Sequence, residues 1–139
     1  MATGNSDKQL IDSLKSVPIF AGTSPKQRKQ LVTLGKVLKW KEGSTPIAEG
    51  SKGAAFFLIM EGQAEVTKGG SRVAVVGSGE FVGEIALLSN SPRTASVTAL
   101  SDCVVFALGR PALAAAFKND SALALNMLQA VAARMAGTM

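Results

Sequence analysis

Residues 81–96 read FVGEIALLSNSPRTAS, and in that one stretch stand a glycine, a carboxylate, a short apolar run, a proline, an arginine and a hydroxyl. A turn of helix starting at Gly83 or Glu84 aims backbone N–H groups without intrahelical partners, those of Ile85 and Ala86 among them, at one spot that suits an anion. Gly83, lacking a Cβ, keeps the approach to that spot open. Arg93, at the start of the following strand, reaches the same place with a forked guanidinium whose geometry matches phosphate. These parts make a phosphate cradle. Glu84 is misplaced beside an anion unless its carboxylate accepts a hydrogen bond from a neutral donor on the same ligand, such as a ribose hydroxyl. Phosphate plus sugar means a nucleotide. The chain has no Walker A loop and no G-x-G-x-x-G before a helix in a βαβ unit, so the ligand is expected to be small and singly phosphorylated rather than a triphosphate or dinucleotide.

The elements that must position these residues change in character along the chain. Residues 6–16 place Leu10, Ile11 and Leu14 at helical spacing, and Thr23 or Ser24 caps a second helix with Pro25 in its first turn. From about Lys36 the segments KVLKWKEG, TPIAEG, AAFFLIMEG, QAEVTKGG and SRVAVVGSG are short β-rich runs separated by glycine-bearing turns, with Gly69-Gly70 as the strongest hairpin signal. RTASVTAL and CVVFALG add two strands after the insert EFVGEIALLSNSP at 80–92. The expectation is a mainly β protein, an eight-stranded β-sandwich or jelly roll with flanking helices. One domain is expected over 1–139, with helices over 1–35, the sandwich over 36–109, the cradle over 82–96 and helices over 110–139. In that tail Arg110 and Pro111 open a helix, and Asp120 or Ser121 caps the last one. The final helix is apolar nearly all round, which leaves core packing, a homodimer seam or a partner or effector domain as its possible neighbours.

Bulk properties bound what the cradle is for. The 139 residues suffice for one core, and 47% hydrophobic content is ordinary. No histidine is present and there is one cysteine, Cys103, which removes imidazole-based acid–base catalysis and most zinc sites. No catalytic residue, no metal and no cofactor beyond the ligand itself are expected. An unpaired cysteine and a start, MATGNSDKQ, without an apolar stretch point to a reducing, cytoplasmic setting. No run reaches the roughly 18 to 20 apolar residues of a membrane span. The net charge of +5 is carried by residues 1–45, where eight basic side chains face three acidic ones. These charges interleave with apolar residues as on a solvated helix face, so neither nucleic acid nor membrane is expected as a partner.

GEIALL followed by PRTASV resembles the phosphate-binding cassette of the cyclic-nucleotide-binding domain family, which includes kinase regulatory subunits, gated channels and the catabolite activator protein. The FFLIMEGQAEV hairpin and the helix, sandwich, helix order resemble the family as well, so the likeness spans almost the whole chain. The resemblance implies that Glu84 holds the ribose 2′-hydroxyl, that Arg93 pairs with the cyclic phosphate, and that amides of Gly83, Ile85, Ala86 and Ala95 complete the cradle. Thr94 places a hydroxyl near phosphate and base; a threonine here often accompanies cGMP binding in the family, though cAMP binders also carry hydroxyls, and cAMP is the favoured ligand. Val82 departs from the phenylalanine that many members carry before the Gly-Glu pair, with Phe81 one residue earlier. Val73, Val75 and Val82 are the apolar candidates to flank the base, and Arg134, Met127 or Leu128 of the last helix to cap it.

The function expected is therefore a sensor module, not an enzyme, in which cyclic nucleotide repositions the C-terminal helix for a partner or downstream domain. Two alternatives stand beside it: a piece of a cyclic-nucleotide-responsive transcription regulator, and a degenerate scaffold of the same fold that binds nothing. The presence of both Glu84 and Arg93 argues against the second.

Overall fold

A computed structural model of the chain describes residues 4–138, so positions 1–3 and 139 of the expected domain, which include the start of MATGNSDKQ, lie outside the described residues. The order is α1 (Gly4–Leu14), a 3-10 turn at Pro18–Phe20, α2 (Pro25–Leu34), strands β1 (Lys36–Trp40), β2 (Ala55–Glu61), β3 (Ala64–Lys68), β4 (Ser71–Val76) and β5 (Phe81–Val82), a 3-10 turn at Glu84–Leu87, strands β6 (Ser96–Ala99) and β7 (Cys103–Gly109), then α3 (Arg110–Asn119) and α4 (Ser121–Thr138). Lys36–Arg110 form one compact unit, and the described residues before and after them form a second.

In the β unit every pairing is antiparallel, in a four-stranded sheet ordered β1-β7-β2-β5 and a three-stranded sheet ordered β4-β3-β6. This is the expected sandwich of jelly-roll type. Ile59, Val105 and Cys103 from the first sheet meet Ala64, Val97 and Ala99 from the second in one buried cluster, joined by Trp40 and Ile47. The Trp40 ring meets that of Phe57 edge-on at 5.2 Å. Seven strands are formed among the described residues, and the segment TPIAEG, expected as another, contributes a single bridge between Ile47 and Val97. Pro46 has no N–H to give a ladder. Beyond the bridge, Glu49 N–H donates to Ser96 Oγ at 2.8 Å and Gly50 N–H to Arg93 O at 2.8 Å, so the segment is sewn along β6 and the loop before it by mixed bonds.

In the helical unit Ser24 caps α2 in a capping box with Gln27, as its position before Pro25 predicts. Asp120 Oδ1 accepts from Ala122 N–H at 3.1 Å at the head of α4. Arg28 is an exception to the solvated basic face: it is 4% exposed, with Nε donating to Ile11 O at 2.9 Å and Nη1 to Thr23 O at 2.6 Å. It ties the end of α1 to the loop before α2. On α4, Leu123 and Met127 are buried while Leu125, Leu128 and Met135 are exposed. Among the described residues no helix is long and apolar enough to cross a membrane.

Candidate functional site

β5 pairs with β2 through Phe57–Val82 and Leu58–Phe81, which brings the end of β5 beside the head of β2. The chain then turns sharply at Gly83 (φ 79°, ψ 17°) into the Glu84–Leu87 turn. A Cβ on Gly83 would stand 2.6 Å from Arg93 Nη1 and 3.0 Å from Ala55 O, so this position needs glycine for its left-handed backbone and for the space it leaves. Arg93 itself is fixed from three sides. Its N–H donates to Ser51 O and its carbonyl accepts from Gly50 N–H, both at 2.8 Å. Its Nη2 donates to Ala55 O at 2.8 Å. Gly53 provides the remaining wall: a Cβ there would lie 2.8 Å from both Nε and Nη2.

A cavity of about 420 Å³ opens over these groups, lined by residues from both sheets and from the 81–97 segment. That volume lies within the range of small-molecule sites. Val82, Gly83, Glu84, Ile85, Ala86, Arg93, Thr94 and Ala95 all line it, so the positions singled out between 82 and 95 converge on one pocket. The Ala86 N–H is engaged within the turn, donating to Gly83 O at 3.1 Å, and the Ile85 side chain is exposed. Burial draws the Arg93 guanidinium below an arginine's ordinary range, because a cation partly removed from water is disfavoured. An anion seated beside it reverses that effect.

The apolar wall differs from the expected one. Ala74 and Val76 of β4 line the cavity together with Val66, Val82, Val97 and Ile47, while Val73 and Val75 do not and are 56% and 39% exposed. Val75 pairs with Glu65 on the outer face of the sheet, and a bulge between Val66 and Thr67 leaves Val73 without a partner opposite it. Successive strand residues face opposite ways, so the β4 residues that reach the cavity lie one position along from those expected. Arg134 lies exposed on α4 in the helical unit and is not among the residues lining this cavity; the same holds for Leu128, and Met127 is buried within the helical unit.

Gly53 and Ala55 went unmarked in the sequence because their role is to meet Arg93, which stands 38 residues or more further along. In the sequence Arg110 signals only a helix start. Its side chain takes carbonyls of the Glu84–Leu87 turn and the loop after it: Nη2 donates to Ala86 O and Ser89 O at 2.6 Å, and Nε to Leu87 O at 3.3 Å. Among the described residues no group of three or more His, Cys, Asp or Glu is placed to hold a metal ion.

A family model for the cyclic nucleotide-binding domain matches residues 37–120, a span that contains the whole cavity. The chain belongs to the cyclic nucleotide-binding domain family. Relatives of this domain include the cAMP-dependent protein kinase regulatory subunit of Hypocrea atroviridis, 38% identical over 99 residues covering 71% of this chain and 21% of that one. The regulatory subunit of Eremothecium gossypii is 35% identical over 113 residues, covering 79% and 25%. The cyclic nucleotide-binding domain chain thus spans about a fifth to a quarter of the length of these curated relatives. Among solved structures it is similar to the N-terminal domain of a transcriptional regulator from Streptomyces coelicolor A3(2), with a TM-score of 0.85 and 30% identity over 91% of this chain and 94% of that one.

Proposed function

We propose that the cavity binds a cyclic nucleotide, cAMP in preference to cGMP, and that the domain acts as a non-catalytic sensor in the cytoplasm. The observation that carries this reading is the convergence of Gly83, Glu84 and Arg93 on one cavity with an apolar wall. In it Arg93 pairs with the cyclic phosphate, Glu84 accepts from the ribose 2′-hydroxyl, amides of Gly83, Ile85 and Ala95 complete the cradle while that of Ala86 stays bonded to Gly83 O within the turn, and the base lies along Val66, Ala74, Val76 and Val82. Thr94 adds a hydroxyl at the rim. The preference for cAMP is supported by the relatives named as cAMP-dependent, and by a similar structure described as "cAMP bound PfPKA-R (141-441)", with a TM-score of 0.68, 27% identity, and coverage of 91% of this chain and 46% of that one.

Ligand occupancy repositions the C-terminal helix α4, whose exposed Leu125, Leu128 and Met135 offer an apolar surface to a second copy or an effector domain. Ligand drives such a change only through tighter binding to one arrangement. A second reading, sensor of a transcription regulator, is favoured by the match covering 94% of the Streptomyces domain. Competitive calorimetric titration of nucleotide-free protein with cAMP and cGMP tests the proposal. Saturable binding with cAMP the tighter ligand supports it, equal affinities remove the base preference, and no binding of either removes the function.

A further inference from the structure

Arg110 ends the β unit and is the first residue of α3. It is absent from the cavity lining, yet its side chain spends its donors on the segment that forms one side of the cavity. Beyond the three carbonyls already described, Nη1 donates to Asn90 Oδ1 at 2.7 Å. Four acceptors in a run of five residues are held by one guanidinium. The end of a helical turn leaves carbonyls without intrasegment donors, and a cation there also matches the turn's dipole. A rigid planar fork that takes three of those carbonyls fixes where the turn stops and how the following loop leaves it.

The backbone of the same residue supplies the reference point. Arg110 N–H donates to Ala54 O at 2.8 Å, and the adjacent carbonyl, Ala55 O, accepts from Arg93 Nη2 at 2.8 Å. Both arginines are therefore registered on the head of β2: one lines the cavity, and the other clamps the turn opposite. We propose that Arg110 is the positioning residue of the pocket. It holds the Glu84–Leu87 turn and the 88–92 loop in the register that places Gly83, Glu84 and Ile85 against Arg93, without touching the ligand. As a statement about nucleotide affinity this rests on the reading of the cavity as a cyclic-nucleotide site.

The test uses Arg110→Gln, which removes the charge and the fork, and Arg110→Lys, which keeps the charge and loses the fork. Two measurements are made on the full chain: cAMP affinity by calorimetry, and backbone hydrogen exchange of the ligand-free protein. Arg110→Gln is expected to weaken cAMP at least tenfold, with Arg110→Lys restoring only part of it. Exchange at Leu88 and Ser89, whose amides donate to Ile85 O at 3.0 and 2.9 Å, is expected to accelerate while the β2–β7 ladder stays unchanged. A residue that only supported the fold would accelerate the ladder as well, and that result overturns the proposal. So does unchanged exchange in the turn, or wild-type cAMP affinity in both variants. If Arg110→Gln does not fold, Arg110→Lys is read alone by the same criteria. Should the wild type bind no cyclic nucleotide, the reading of the cavity fails, and the exchange measurement still decides whether Arg110 holds the turn.

Discussion

Arg93 and Arg110 stand at opposite ends of the Glu84–Leu87 turn. Arg93 Nη1 lies 2.6 Å from where a Gly83 Cβ would be, at the turn's amino end, and Arg110 donates to Ala86, Leu87 and Ser89 carbonyls at its carboxyl end. A cation is favoured at the carboxyl end of a helical turn and disfavoured at the amino end. Arg110 is thus satisfied by the turn, whereas Arg93 stands at the turn's amino end and is partly stripped of water. The arrangement favours an anion next to Arg93 and gives Arg110 no need of one.

Replacing Gly83 by alanine forces a non-glycine residue to φ 79° and sets its Cβ against Arg93 Nη1 and the Ala55 carbonyl. The backbone strain costs about 1–3 kcal/mol. Denaturant unfolding is expected to show that loss, and calorimetry to show no measurable cAMP binding.

Gly53→Ala separates site from fold. Gly53 has no left-handed backbone requirement, and the atoms nearest its added Cβ all belong to the end of the Arg93 side chain, at 2.8 Å from Nε and Nη2. Stability is expected to change by less than about 1 kcal/mol, the scale of one lost hydrogen bond. Cyclic-nucleotide affinity falls about tenfold as the guanidinium is displaced, a factor equal to about 1.4 kcal/mol. Equal affinities in variant and wild type would show that the placement of Arg93 over Gly53 is immaterial.

The converse is expected at Arg28. Replacing it by alanine strands the Ile11 and Thr23 carbonyls in a site where the side chain is 4% exposed. Leaving buried acceptors unpaired costs about 2–6 kcal/mol for the two together. Chemical denaturation should register the loss, while the protein that remains folded keeps wild-type cAMP affinity.

The pH dependence of binding follows from Arg93. Its pKa in the fold is lowered, so the fold disfavours its charged form, and that penalty is present at every pH below the folded pKa, the whole neutral range included. A guanidinium nonetheless stays protonated in proteins, and the chain has no histidine. Calorimetric cAMP affinity is therefore expected to be flat from roughly pH 6 to pH 8, where no unperturbed carboxylate, lysine or arginine titrates. A steep change across that interval would place a different ionising group in the site.

What could be read from the sequence was what is local in it. Gly83, Glu84 and Arg93 lie within one short stretch, Ser24 sits directly before Pro25, and Gly69-Gly70 joins two alternating runs, so each signal is complete within a few residues. The residues that escaped act over distance. Gly53 and Ala55 matter through Arg93, and Arg110 through carbonyls 21 to 24 residues earlier. In SRVAVV apolar side chains occupy both faces of the strand, so nothing local tells whether Val73 and Val75 or Ala74 and Val76 turn to the cavity. Arg28 shows the same limit: among many basic residues on one segment, nothing in its neighbours tells that it turns inward.

The most direct test of the account is calorimetric titration of nucleotide-free protein with cAMP, run side by side on the wild type and Arg93→Ala, with folding of both checked by Trp40 fluorescence. Saturable one-site binding in the wild type, weakened at least a hundredfold in the variant, is the predicted result. Binding of equal strength in the two proteins, or none in a folded wild type, would contradict it.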